Sequence, residues 1–175
     1  MLIRSHSQRG VTLIELLIGL ALIGILTMMA VPAFQHWLQN MQIRNAAEAA
    51  LNGMQLARAE AVRRNIKVQL VMGSGASWTV STVATAEMIQ QRAVEGSQNA
   101  AVTILPAGAT TITFNGMGWV EDTNNDGSVP IAQVNVTSAL LAGTEIRPLR
   151  VVVSTAGATK MCDPAVVSPD TRVCP

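Results

Sequence analysis

The sequence predicts an α+β fold, with one long N-terminal helix packed on antiparallel sheets. Three observations lead there. Residues 11–31 form a 21-residue apolar run whose only charge is Glu15. Residues 41–64, MQIRNAAEAALNGMQLARAEAVRR, carry apolar side chains at three- and four-residue spacing, the repeat of an amphipathic helix. Beyond Asn65 the text changes to short β-branched runs between Gly, Ser, Asn and Pro turns, which is strand text. A long helix followed by a series of strands is an α+β layout.

The apolar run comes first. At 1.5 Å per residue a 21-residue helix is about 30 Å long, enough to cross a bilayer core. A secretory signal peptide would have a shorter apolar core and a small-residue exit. Here the basic segment MLIRSHSQRG leads into the full run with no such exit, and the helical pattern continues to about Asn65. A carboxylate inside a membrane helix costs on the order of 2.5–3.5 kcal/mol, so such groups are usually paired and functional. The alternative for Glu15 is a place near the headgroups, one turn inside the membrane.

In the second half of the helix the stripe is Ile43, Ala46, Ala47, Ala50, Met54, Ala57 and Ala61. Small alanines on that face let a helix lie close against a sheet. Arg44, Arg58, Arg63 and Arg64 fall on other faces and read as a solvated flank. Six strands are expected, at 66–72, 77–83, 101–105, 110–114, 131–136 and 149–154, with 84–100 a polar loop containing a little helix.

Composition narrows the function. Of 175 residues, 49% are hydrophobic and 13% charged, a lean charge content that suits a membrane or assembly-bound protein. The net charge is +1, so no global basic field points to nucleic acid. Removing residues 1–10 takes away Arg4 and Arg9, which leaves 10 basic against 11 acidic residues and a net −1. The two histidines are His6 and His36, so no Ser/His/Asp or Cys/His group can be assembled downstream of residue 40. Cys162 and Cys174 read as one disulfide in an oxidising compartment, against the alternative of two free thiols. DTNNDG (122–127) resembles the opening of a calcium loop, but Gln133 stands where the bidentate glutamate belongs and Pro130 interrupts the run. A plain Asn/Asp/Gly turn is the better reading. No metal or cofactor site and no enzymatic activity is expected.

The segment GVTLIELL (10–17) resembles the class III signal of type IV prepilins and pseudopilins. A short basic leader ends in Gly10, and Thr12, Leu13, Ile14 and Glu15 follow in register. Val11 departs from the family's usual phenylalanine. Helix text ARAEAVRRN (57–65), then FNGMGWV (114–120) and VVVSTAG (151–157), is similar to the GspH/FimT family of minor pilins and pseudopilins. There Gly116 and Gly118 would make a tight turn.

The resemblance implies the type IV pilin fold and cleavage by prepilin peptidase between Gly10 and Val11, with methylation of the Val11 amine. It implies residues 1–10 as leader, 11–38 as transmembrane and filament-core helix, and 39–175 as a periplasmic globular domain. The protein would sit single-pass in the inner membrane with its leader cytoplasmic, as the positive-inside rule also expects, and then enter a pilus. Glu15 would pair with the N-terminal amine of a neighbouring pilin, and Pro32 would permit a helix bend. A C-terminal disulfide loop favours a pilus over the alternative, a type II secretion pseudopilin. A second alternative is a DNA-binding minor pilin. Its basic G-R-x-R motif is matched only by Gly157-Ala158-Thr159-Lys160, with Arg147, Arg150 and Arg172 as further candidate contacts.

Overall fold

The structure, a computed structural model, describes residues 11–175; residues 1–10, expected as a leader and including Gly10, lie outside the described residues. The chain forms two compact units, one up to Gln35 and one from His36 to Pro175. Helix α1 spans Leu13–Arg64.

In the first unit α1 is capped by Thr12, whose Oγ1 accepts the Glu15 N–H at 3.3 Å. The text Thr-x-x-Glu at a helix start is a capping-box sequence, in which the hydroxyl satisfies one of the orphan donors of the first turn. Side chains from Leu13 to Gln35 are almost all exposed. An 18-residue window of α1 has mean hydropathy 2.4 with none of it buried, long and apolar enough to cross a membrane. The hydroxyl of Thr27 donates to the carbonyls of Ile23 and Gly24 at 3.0 and 2.9 Å, so a polar group in apolar surroundings is satisfied within the helix. Pro32 stands inside α1 and removes one donor from its ladder.

In the second unit α1 buries the whole expected stripe, with Ala49 and Gly53 added to it. The helix stops where the sequence places its end. Asn65 adopts a left-handed φ of 52°, its N–H donates to Val62 O, and the Ile66 N–H donates to Ala61 O. That pair of bonds is a Schellman cap, for which asparagine is the usual substitute for glycine.

Eight strands follow. Strands β1 (Val68–Met72), β2 (Trp78–Thr82), β3 (Met88–Arg92) and β5 (Thr111–Phe114) form one sheet in the order β3-β2-β1-β5. Strands β4 (Ala100–Leu105), β6 (Gln133–Ser138), β7 (Leu149–Val153) and β8 (Thr159–Cys162) form a second, ordered β4-β6-β7-β8. Every neighbouring pair is antiparallel. The backbone joins the sheets where Ile131 N–H donates to Thr111 O and Ala132 N–H to Leu105 O.

Two corrections emerge. The stretch expected as a polar loop contains β3, MIQQR, a largely exposed edge strand held by its ladder to β2. Strand β8 was not expected at all; TKMC pairs with β7 as the other sheet's edge.

The core lies between the alanine face of α1 and the inward residues of both sheets. Val68, Leu70, Val80, Ile112 and Phe114 come from the first sheet, and Val134, Val136 and Val151 from the second. Trp78 closes it, donating its indole N–H to Ala49 O at 2.9 Å while its ring packs over Gly53. Polar residues on the flanks of α1 fasten the loops. Gln39 Oε1 accepts from Ser138 Oγ at 3.0 Å, Gln42 Oε1 accepts from Asn99 N–H at 3.1 Å, and Asn45 donates to Gly96 O at 3.3 Å.

Candidate functional site

Three regions carry the residues singled out by the sequence. At the N-terminus Val11 and Glu15 are exposed. Glu15 stands in the first turn, three residues after the capping Thr12. There the helix dipole favours a negative charge.

The C-terminus is a closed loop. Cys162 and Cys174 form a disulfide with Cα atoms 5.1 Å apart. Inside the loop the Asp163 N–H donates to Arg172 O at 2.9 Å, and Asp163 Oδ1 accepts from the Ala165 N–H. Arg172 binds Asp170 through Nε at 3.1 Å and Nη2 at 2.7 Å. Hydrogen bonding from that guanidinium holds the Asp170 carboxyl down to about 2.

The four candidate cations do not make one free patch. Arg150 donates to Asn135 Oδ1 at 2.6 Å, and Lys160 donates to Val173 O at 3.3 Å. Arg150 pairs with Cys162 and Val152 with Lys160 across the ladder, so Arg150 and Lys160 share one face of the sheet. Arg147 and Arg172 belong elsewhere, lining a groove of about 360 Å³ with Trp37, Met41, Leu149 and Met161. Only Arg147 among the four has a guanidinium without a hydrogen bond or ion pair among the described residues.

A third feature was only partly legible. The turn after β5 is the tight one expected of Gly116 and Gly118. Asn115 Oδ1 accepts from the N–H groups of Met117 and Trp119 at 3.0 and 3.1 Å, and Gly118 has φ +79°. Arg58 was read as part of a solvated flank, and that needs correcting. Its Nε donates to Gly118 O at 3.0 Å and its Nη2 to Ala156 O at 3.5 Å, so one side chain holds two turns against α1. Arg64 departs from that reading too, bridging Glu60 and Glu87 with its side chain only 25% exposed. Gly157, the first residue of the basic-motif candidate, has φ +78°. A Cβ there would collide with Gly118 O, so this glycine serves close packing of two turns.

The DTNNDG stretch is the turn it was expected to be, with a buried anchor. Asn124 accepts from Thr113 Oγ1 at 2.9 Å and donates to Thr111 O and Ser128 Oγ, both at 3.0 Å. Its amide thereby fastens the loop to β5. Asp126 accepts from the N–H and hydroxyl of Ser128 at 2.9 and 2.6 Å, which lowers its pKa, the hydroxyl bond foremost.

The family described as type II transport protein GspH has a model that matches residues 46–157, from the alanine stripe through to the Gly157 turn. The chain belongs to the GspH family. The model of the prokaryotic N-terminal methylation motif matches residues 5–31, which implies processing by prepilin peptidase. The fold is that of the type IV pilins. It is similar to two crystal structures of the type IV minor pilin FimU from Pseudomonas aeruginosa strain PAO1, both at TM-score 0.50 and 15% identity. The alignments cover 68% of this chain and 87% of one FimU chain, and 67% and 90% for the other. This GspH-family chain is thus a type IV minor pilin or pseudopilin, a class of structural subunits that associate with other pilins. The methylation-motif match spans Val11, Glu15 and the whole apolar run to Val31.

Proposed function

We propose that this protein is a minor pilin of a type IV pilus that takes part in starting the filament. The observation that carries the reading is the two-part character of α1, apolar and exposed before Gln35 and buried along an alanine face after His36. An exposed apolar helix of that length needs lipid or other apolar helices around it. A single-pass inner-membrane anchor that later becomes filament core supplies both in turn.

Prepilin peptidase cuts between Gly10 and Val11 and methylates the Val11 amine, leaving a mature chain whose helix starts at Leu13, capped by Thr12. Residues 11–38 then serve as membrane and core helix, and 39–175 as the periplasmic domain. Glu15, in the first turn, pairs with the N-terminal amine of a neighbouring subunit, which removes the cost of an isolated carboxylate in an apolar bundle. Pro32 gives the helix a place to bend.

The disulfide-closed C-terminal loop favours a pilus, as does the likeness in fold to FimU. The secretion reading keeps one observation in its favour, the name of the matched family. DNA stays outside the proposal, because Lys160, Arg150 and Arg172 are engaged within the protein. Deletion of the gene, followed by shearing and quantifying the major pilin, tests the assignment. Lost surface pili support it, whereas normal pili with a secretion defect move the protein to the secretion machinery. A Glu15→Ala variant should be processed normally yet enter filaments poorly. Normal incorporation refutes the pairing role.

A further inference from the structure

The groove holding Arg147 is not used by anything above. Its walls come from α1 (Trp37, Asn40, Met41, Arg44), from Arg147 and Leu149, and from Met161 and Cys162 at the end of β8, with Asp163 and Arg172 beyond it. The loop bearing Arg147 is fixed to the helix. Asn40 Oδ1 accepts the Arg147 N–H at 2.9 Å, and Asn40 Nδ2 donates to Glu145 O at 2.8 Å. The guanidinium of Arg147 therefore stands on a pinned backbone, with no partner of its own among the described residues.

We propose that this groove binds one anionic phospholipid, drawn from the membrane that α1 spans. Its phosphate sits on Arg147, and the upper part of an acyl chain lies along Trp37, Met41, Leu149 and Met161. This rests on the reading of α1 as the membrane anchor.

Three observations support that occupant. The first is chemical: the lining joins an apolar strip to an uncompensated cation, which matches an amphiphile with an anionic head. The second is the balance of charge. Arg44 is paired with Glu48 and Arg172 with Asp170. The one acid in the lining, Asp163, turns its carboxylate onto the Ala165 N–H. Arg147, exposed on the groove, is left without a charged partner among the described residues, and a bidentate guanidinium suits a phosphate.

The third observation is position. Trp37 follows Val31, the last residue of the apolar run, by six residues, at most about 20 Å of chain even fully extended. The lining residues on α1 thus follow the apolar run closely in sequence, and tryptophan and arginine are residue types favoured at membrane interfaces. Trp37 is 57% exposed and Met41 40%. A space of about 360 Å³ is enough for a headgroup and the first part of a chain.

The test uses the full chain purified in an uncharged detergent, with phosphatidylglycerol and phosphatidylcholine of identical acyl chains as probes. Native mass spectrometry reads retained lipid. Phosphatidylglycerol should be retained about tenfold or more over phosphatidylcholine. An Arg147→Gln variant keeps the backbone bond to Asn40 and should lose that preference, while Arg147→Lys should keep part of it. Glycerol 3-phosphate should not compete. Equal retention of the two lipids, an unchanged preference in Arg147→Gln, or full competition by glycerol 3-phosphate would each overturn the proposal. Flotation with pure phosphatidylcholine vesicles separates the two readings. A chain that fails to float refutes the anchor, and one that floats without selecting phosphatidylglycerol refutes only the groove.

Discussion

Replacing Gly53 by alanine sets two opposed effects against each other on one methyl group. Glycine inside a helix is disfavoured by about 1 kcal/mol relative to alanine, so propensity alone makes the variant more stable. The surroundings oppose this. A Cβ at residue 53 would stand 2.7 Å from Leu70 Cδ1 and 2.8 and 2.9 Å from two atoms of the Trp78 indole. Leu70 has a flexible tip, but the indole is pinned by its bond to Ala49 O and almost fully buried. Overpacking a core commonly costs about 1–3 kcal/mol, and two contacts this close to a fixed ring belong in the upper part of that range. The net expectation is a loss of about 1–2 kcal/mol, after the propensity gain is subtracted. For a unit of this size that lowers Tm by about 3–7 °C. Thermal unfolding of residues 36–175 followed by tryptophan fluorescence reads it, with Asn52→Ala on the exposed face as a control that should gain slightly. A Gly53→Ala variant at or above the parent Tm would refute the close packing of α1 on Trp78.

Other expectations follow from the same structure. Reducing the Cys162–Cys174 bridge opens a 13-residue loop, and the chain-entropy estimate puts the loss at about 3 kcal/mol; denaturant unfolding with and without reductant measures it. The Asp170 carboxyl lies below its ordinary 3.8 in the folded chain, at about 2, because of Arg172. Its contribution is therefore complete above pH 4 and disappears as pH falls through 2. Carboxyl NMR should show that titration, and Arg172→Ala should return it toward 3.8. Asn124→Ala leaves the Thr113 hydroxyl without its buried acceptor and the Thr111 carbonyl with only the Ile131 N–H, and should cost about 1–3 kcal/mol. Arg58→Met keeps the aliphatic packing but frees two turns. A loss of about 1–2 kcal/mol by urea unfolding is expected, together with faster amide exchange at Gly118 and Gly157.

The sequence made the helix legible because periodicity and composition agree along it. The alanine stripe could face only inward, and the cap at Asn65 falls where the apolar spacing ends. Strands β1, β2, β4, β5 and β7 were marked by β-branched residues; β6 was found two residues out of register, since Ile131 is buried yet precedes the ladder at Gln133. Edge strands were the gap. MIQQR in β3 has one β-branched residue and little burial, so nothing in its text separates it from a loop. TKMC in β8 is four residues long, set between the Gly157 turn and the disulfide. Arg58 was misjudged for a related reason. Its role depends on two carbonyls 60 and 98 residues away, and helix spacing reports only which face a residue occupies. The arginine groove was hidden likewise, because Trp37, Arg147 and Met161 meet only once β8 lies beside α1.

The way the loops are fastened to α1 has a mechanical consequence. Bonds leave the helix at Gln39, Asn40, Gln42, Asn45, Ala49 and Arg58, a run of about 28 Å at helical rise. A pull along the helix axis loads such a row in shear, so the ties share the force and must yield together. A pull across the axis peels them one after another at far lower force. The ties along α1 therefore give the globular unit more resistance to a pull along the helix than to one across it.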